Sequence, residues 1–174
     1  MKKLWMIAVA SLALIASPAL AETNTGVVNI GKIMQASKAA TSVRSQLQAK
    51  QKSFQADLDA KEKALYAEDQ ALVKQKDSAD KAAFEKKVKD FRAKAATEQR
   101  QVQEKKAQLE KAFAGALEEI QKTVNDIVKQ VATEKKLNLV VSASQVLYTD
   151  PALDITDEVL SRLDSKLSTV AVKF

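Results

Sequence analysis

"VLYTDPALDITDEVL", residues 146–160, is the stretch that decides how this chain is built. The long tract before it is dominated by Lys, Gln, Ala and Glu, a composition suited to exposed helix. Two short aliphatic runs, Leu139-Val140-Val141 and Val146-Leu147, read as strands. Thr149-Asp150-Pro151 then punctuates the chain as a turn. After Ile155 a short helix follows, with Asp154 or Thr156 as its N-cap. Asp157 and Glu158 in its first turn complement the helix dipole. Val159, Leu160, Leu163 and Leu167 form its apolar face, and the closing "TVAVKF" alternates as an edge strand does.

Near the other end, "GVVNIGKI", residues 26–33, places Val27, Val28 and Ile30 between two glycines and reads as a short buried strand ending at Gly31. Helix formers then run from Lys32 to Lys136 with no proline and one glycine, Gly115. The first half of this tract has a sparse seam of Val43, Leu47, Phe54, Leu58, Leu65 and Leu72, with polar Gln51, Lys61 and Glu68 at the other seam positions. Asp77, Ser78 and Asp80 favour a turn, after which Phe84, Val88, Phe91, Ala95 and Val102 resume the pattern. A reversal there gives an antiparallel hairpin whose first arm reaches about 70 Å. One continuous helix is the alternative. From Phe113 the seam through Leu117, Ile120, Val124, Ile127 and Val131 has two apolar residues per heptad, so the arm is firm at its root and loose toward its tip.

The predicted fold is therefore mainly α with a small β body. A long antiparallel helical hairpin, a coiled-coil arm over residues 32–136 with its tip near 77–81, projects from a β-α body of residues 22–31 and 137–174. Such a body buries too little surface to stand alone. Val27, Val28, Ile30, Leu139, Val140, Val141, Val146, Leu147, Ile155, Val159 and Leu160 are then expected to complete a core between copies of the chain.

Residues 1–21 read as a secretory signal: Lys2 and Lys3, an apolar run, and a small-x-small cleavage site at Ala19 and Ala21. The remaining chain carries 26 basic and 22 acidic residues. The excess lies in residues 50–111, which hold 16 basic against 12 acidic. This weakly positive middle suits acidic or anionic partners. Export and the modest charge argue against nucleic acid. With no Cys and no His, thiol, imidazole and most zinc chemistry are excluded. The carboxylates sit at helical spacing beside lysines, and no phosphate loop or nucleophile motif accompanies them. Neither an enzyme nor a cofactor or metal site is expected.

"LNLVVSASQVLYTDPALDITDEVLSRL" together with "GVVNIGKIMQAS" resembles the Skp/OmpH family of periplasmic chaperones, and the likeness covers nearly everything after the signal. The arms match in length and composition only. The resemblance implies a homotrimer in which strands from three subunits form a body and three hairpins surround a cavity. There the family holds unfolded outer-membrane proteins without ATP before their insertion. Leu72, Phe84 and Phe91, with Lys81, Lys86, Lys87, Lys89, Arg92 and Lys94, are the candidate client-facing residues. Both phenylalanines equally suit the hairpin's own seam. Anionic lipid or lipopolysaccharide is a further candidate contact. The terminal "STVAVKF" extends beyond the family's usual last helix. A structural coiled-coil tether is the rival reading, and it leaves the β-α match unexplained.

Overall fold

The computed structural model describes residues 24–76 and 80–174, so the signal and its cleavage site lie outside the described residues. Strand β1, Thr25–Val28, is followed by helix α1, Ile30–Ala36, and helix α2, Lys38–Gln75. Helix α3, Lys81–Glu134, leads to strand β2, Leu139–Ser142, and then to helix α4, Thr156–Lys166.

The hairpin is formed by α2 and α3. Lys105 meets Asp57, Lys61 meets Glu98 and Lys94 meets Glu68, so partners advance along one helix as they recede along the other. Helix α3 alone is 54 residues, about 80 Å at 1.5 Å per residue. Helix α2 is shorter than the predicted first arm because the chain breaks at Ser37. That residue is fully buried, adopts an extended backbone, and accepts the Ala40 N–H at 3.3 Å as an N-cap.

Ile30 and Gly31 lie in helix, not in the predicted strand. Asn29 ends β1 and its Oδ1 accepts the Lys32 N–H at 2.8 Å, so a side-chain cap starts α1 one residue after the Asn. Leaving α3, Lys136 takes φ 54°. The Leu137 N–H bonds to the Ala132 carbonyl at 2.8 Å and the Lys136 N–H to the Thr133 carbonyl at 3.2 Å. These two bonds form a Schellman cap with a lysine at the position that favours glycine.

Strands β1 and β2 pair in parallel, Thr25 opposite Leu139 and Val28 opposite Ser142. Gly26 lets Leu137 pack close, since a Cβ there would lie 2.7 Å from Leu137 Cδ1 and the leucine would have to shift. The far side of β1 is closed by a bridge from Val27 to Asp154, with the Ile155 N–H donating to the Val27 carbonyl at 2.9 Å. The N-cap of α4 is Ile155, whose carbonyl accepts the Val159 N–H at 3.0 Å, and not Asp154 or Thr156 as predicted. Asp154 accepts the Thr156 N–H at 2.8 Å just ahead of the helix, while the buried Thr156 hydroxyl accepts the Asn29 N–H at 2.8 Å. Beginning and end of the chain are thus laced together across the base of the arm.

One core runs through body and root. It contains Val28, Ile33, Val43, Ile120, Val124, Ile127, Val131, Val159 and Leu163. The predicted root seam is displaced at its upper end, where Ala112 and Ala116 are buried while Phe113 and Leu117 are half-buried. The second predicted strand is not formed. Val146 has an extended backbone, but Val146 and Leu147 join no sheet among the described residues, and Leu147 and Tyr148 project into solvent. Likewise "TVAVKF" is extended without joining a sheet, yet Val170 and Val172 are buried against the root.

Candidate binding surface

In the distal half of the hairpin the seam residues of α2 are Leu58, Lys61, Leu65, Glu68, Leu72 and Gln75, all half-buried and spaced alternately by three and four. Every second rung is polar, and each polar rung is satisfied across the hairpin. Lys61 Nζ donates to Glu98 at 2.5 Å and Gln101 at 2.9 Å, Lys94 donates to Glu68 at 2.5 Å, and Lys87 donates to Gln75 at 2.7 Å. The Glu98 carboxylate holds the Lys61 ammonium above its ordinary pKa. Nearer the root, Lys105 bonds Asp57 at 2.5 Å and stands 5.4 Å over the Phe54 ring, lowering the Asp57 pKa.

The structure divides the candidate tip residues into two groups. All six cations are exposed, but Lys87 and Lys94 bond across to α2, whereas no such bond ties Lys81, Lys86, Lys89 or Arg92 among the described residues. Phe84, Phe91 and Leu72 are half-buried along the seam, and Phe84 lines a shallow cleft with Val88, Lys89 and Arg92. Tyr66 and Val73, which the sequence reading passed over, are 68% and 62% exposed. They are seven residues apart and therefore share a face, one position round from the Leu65–Leu72 rank. Two large apolar residues at that offset were the available signal.

The body offers a different surface. Val27, Val28, Ile155 and Val159 are sealed inside the chain's own core, and Val140, Val141 and Leu160 are half-buried. Leu139, Leu147, Tyr148 and Leu153 are exposed, and the outer edge of β2 has no strand partner among the described residues. At the root, Arg162 makes two bonds to Glu134, at 2.8 and 2.6 Å, and one to Glu158 at 2.6 Å, while Lys135 also pairs with Glu158 at 3.0 Å. Arg162 holds Glu134 below the ordinary carboxylate range, and Lys135, followed by Arg162, does the same for Glu158.

A long hairpin on a small β-α body makes an arm-and-body protein. The comparisons agree. Residues 24–163 match the family described as outer membrane protein (OmpH-like), and the chain belongs to that family. It is also similar to the crystal structure of a candidate outer membrane chaperone (OmpH-like) from Caulobacter crescentus CB15. There the TM-score is 0.80 at 26% identity, over 89% of this chain and 90% of that one. No curated protein matches. Family and structural likeness support a chaperone role. Among the described residues no helix is long and apolar enough to cross a membrane.

Proposed function

We propose that the chain is a periplasmic holdase that works without nucleotide or catalysis. Three copies join through their bodies, and their arms surround a cavity for unfolded outer-membrane β-barrel proteins. The observation that carries this reading is the uneven distribution of apolar side chains along the arm. The root is closed by a continuous core, while the distal half keeps half its seam polar and turns Tyr66 and Val73 outward on a face of mixed charge. A surface of that kind holds apolar segments by many weak contacts without collapsing on itself. The open edge of β2 and the exposed Leu139, Leu147, Tyr148 and Leu153 support association through the body, because a two-stranded sheet needs further strands or cover.

The test dilutes a urea-unfolded outer-membrane β-barrel protein into buffer with and without the chain. Light scattering follows aggregation, and native mass spectrometry follows stoichiometry. The expected product is a soluble complex of one client with three copies, formed without nucleotide. Unchanged aggregation beside an intact trimer would instead favour a structural tether.

A further inference from the structure

The residues after α4 lie beyond the family match and run along the arm root as an extended ribbon between α2 and α3. Val170 and Val172 are buried whereas Ala171 and Lys173 are exposed, so alternate side chains enter the groove. The floor includes buried Ala112 and Ala116, whose small side chains leave room for the valines. One residue of α2 holds the ribbon's backbone. Gln46 Nε2 donates to the Val170 carbonyl at 2.7 Å, and Gln46 Oε1 accepts the Val172 N–H at 3.1 Å. Ser42 Oγ, 3.1 Å from the same Nε2, orients the amide.

The glutamine thus bonds to residues i and i+2 of the ribbon, as a residue of a neighbouring strand would. Both bonds are to backbone and so read extended shape rather than sequence. Among the described residues, Val170–Phe174 make no backbone–backbone hydrogen bond at all. Phe174 lies under the Lys50 ammonium, 5.3 Å from its ring centroid. Beside Phe174 opens a cleft of about 350 Å³ lined by Phe54, Asp57, Lys105 and Leu109, so the groove continues along the hairpin past Phe174.

We propose that this groove is a binding subsite for an extended segment with apolar residues at alternate positions, taken from a bound unfolded β-barrel protein. The chain's own Val170–Phe174 occupies it until such a segment displaces it. The proposal rests on the holdase reading and adds the pattern recognised. Strands of membrane barrels carry that alternation along their whole length. A tethered tail competes at high effective concentration, so it weakens every ligand from outside by the fraction of time the groove stands open.

The probe is a fluorescein-labelled peptide, STVAVKF, followed by fluorescence anisotropy. In the full chain, Val170→Asp with Val172→Asp places two charges in the groove and releases the tail. A chain ending at Leu167 is the second variant. Both are expected to bind the peptide about tenfold tighter than the parent, as for a groove otherwise open a tenth of the time. Adding Gln46→Ala to either is expected to abolish the gain. Equal affinity in parent and released chains, or a gain that survives Gln46→Ala, overturns the proposal. Client aggregation measured with the parent separates the two ideas. Suppressed aggregation without a peptide gain rejects the groove alone, whereas a peptide gain without suppression rejects the holdase and keeps the extended-segment site.

Discussion

Truncating one apolar side chain at the root and one near the tip should have unequal consequences. Ile120 is fully buried in the core shared by arm and body, whereas Leu72 is half-buried on the thin distal seam. Ile120→Ala removes three carbons, about 2.4 kcal/mol of transfer free energy at about 0.8 per methylene. The sealed surroundings add a cavity cost, for a total of about 3 kcal/mol. Leu72→Ala removes the same three carbons from a site already half in water. It should cost about 1 kcal/mol, with no cavity because solvent enters. The assay is urea denaturation by circular dichroism at one protein concentration, with hydrogen exchange read along the chain. With a slope near 2 kcal/mol/M, the midpoint should fall by about 1.5 M for Ile120→Ala and about 0.5 M for Leu72→Ala. Exchange in Leu72→Ala should accelerate only in the outer hairpin. A Leu72→Ala midpoint as low as that of Ile120→Ala, or root amides exchanging as fast as tip amides, would refute the firm-root, soft-tip account.

Lys136→Gly should stabilise the chain by up to about 1 kcal/mol, because the Schellman cap puts an L-residue at φ 54°; Lys136→Val should destabilise it, with thermal melts checking both. Glu134, Glu158 and Asp154 all have depressed pKa values, Asp154 chiefly through its bond to Thr156. Their stabilisation is complete above the ordinary carboxylate range and is lost as pH falls through the lowered values. The melting temperature should therefore hold from pH 7 to about 5 and drop below about 4, less steeply in Arg162→Gln. Tyr66→Ser with Val73→Ser should leave the melt within about 0.5 kcal/mol of the parent while weakening suppression of client aggregation in light scattering. Unchanged suppression would remove that face of α2 from the contact surface.

The hairpin, the root seam from Ile120 to Val131 and the apolar face of α4 were legible because each depends on neighbours three or four residues away. What escaped depends on distant partners. The Val146-Leu147 run has the composition of a strand, but composition does not supply the strand beside it, and within one chain none is present among the described residues. Ala112 and Ala116 carry no signal in a pattern read from large residues, yet they pack beneath the tail because they are small. Ser37 falls inside the tract read as uninterrupted helix and is a buried cap that breaks it. The period-two pattern of Val170 and Val172 was read correctly, but their partner is a glutamine side chain, not a strand. Of the tip lysines, only the register of the folded hairpin separates Lys87 and Lys94, which bond to α2, from Lys81, Lys86 and Lys89.

The polar rungs at Lys61, Glu68 and Gln75 explain how the distal hairpin can be both aligned and weak. Each rung has a specific partner on α3, so sliding one helix by a turn breaks all three sets of contacts and the register is fixed. Yet exposed ion pairs and hydrogen bonds add little to stability, because water replaces them when the helices part. Leucine at the same positions would fix the register no better and would add apolar burial at every rung. An all-leucine seam would therefore make the outer hairpin part of the root's cooperative unit, and the arm could open only when the whole chain unfolds. With polar rungs the outer hairpin can part while the core around Ile120 stays closed, the behaviour the proposed holdase role requires of an arm.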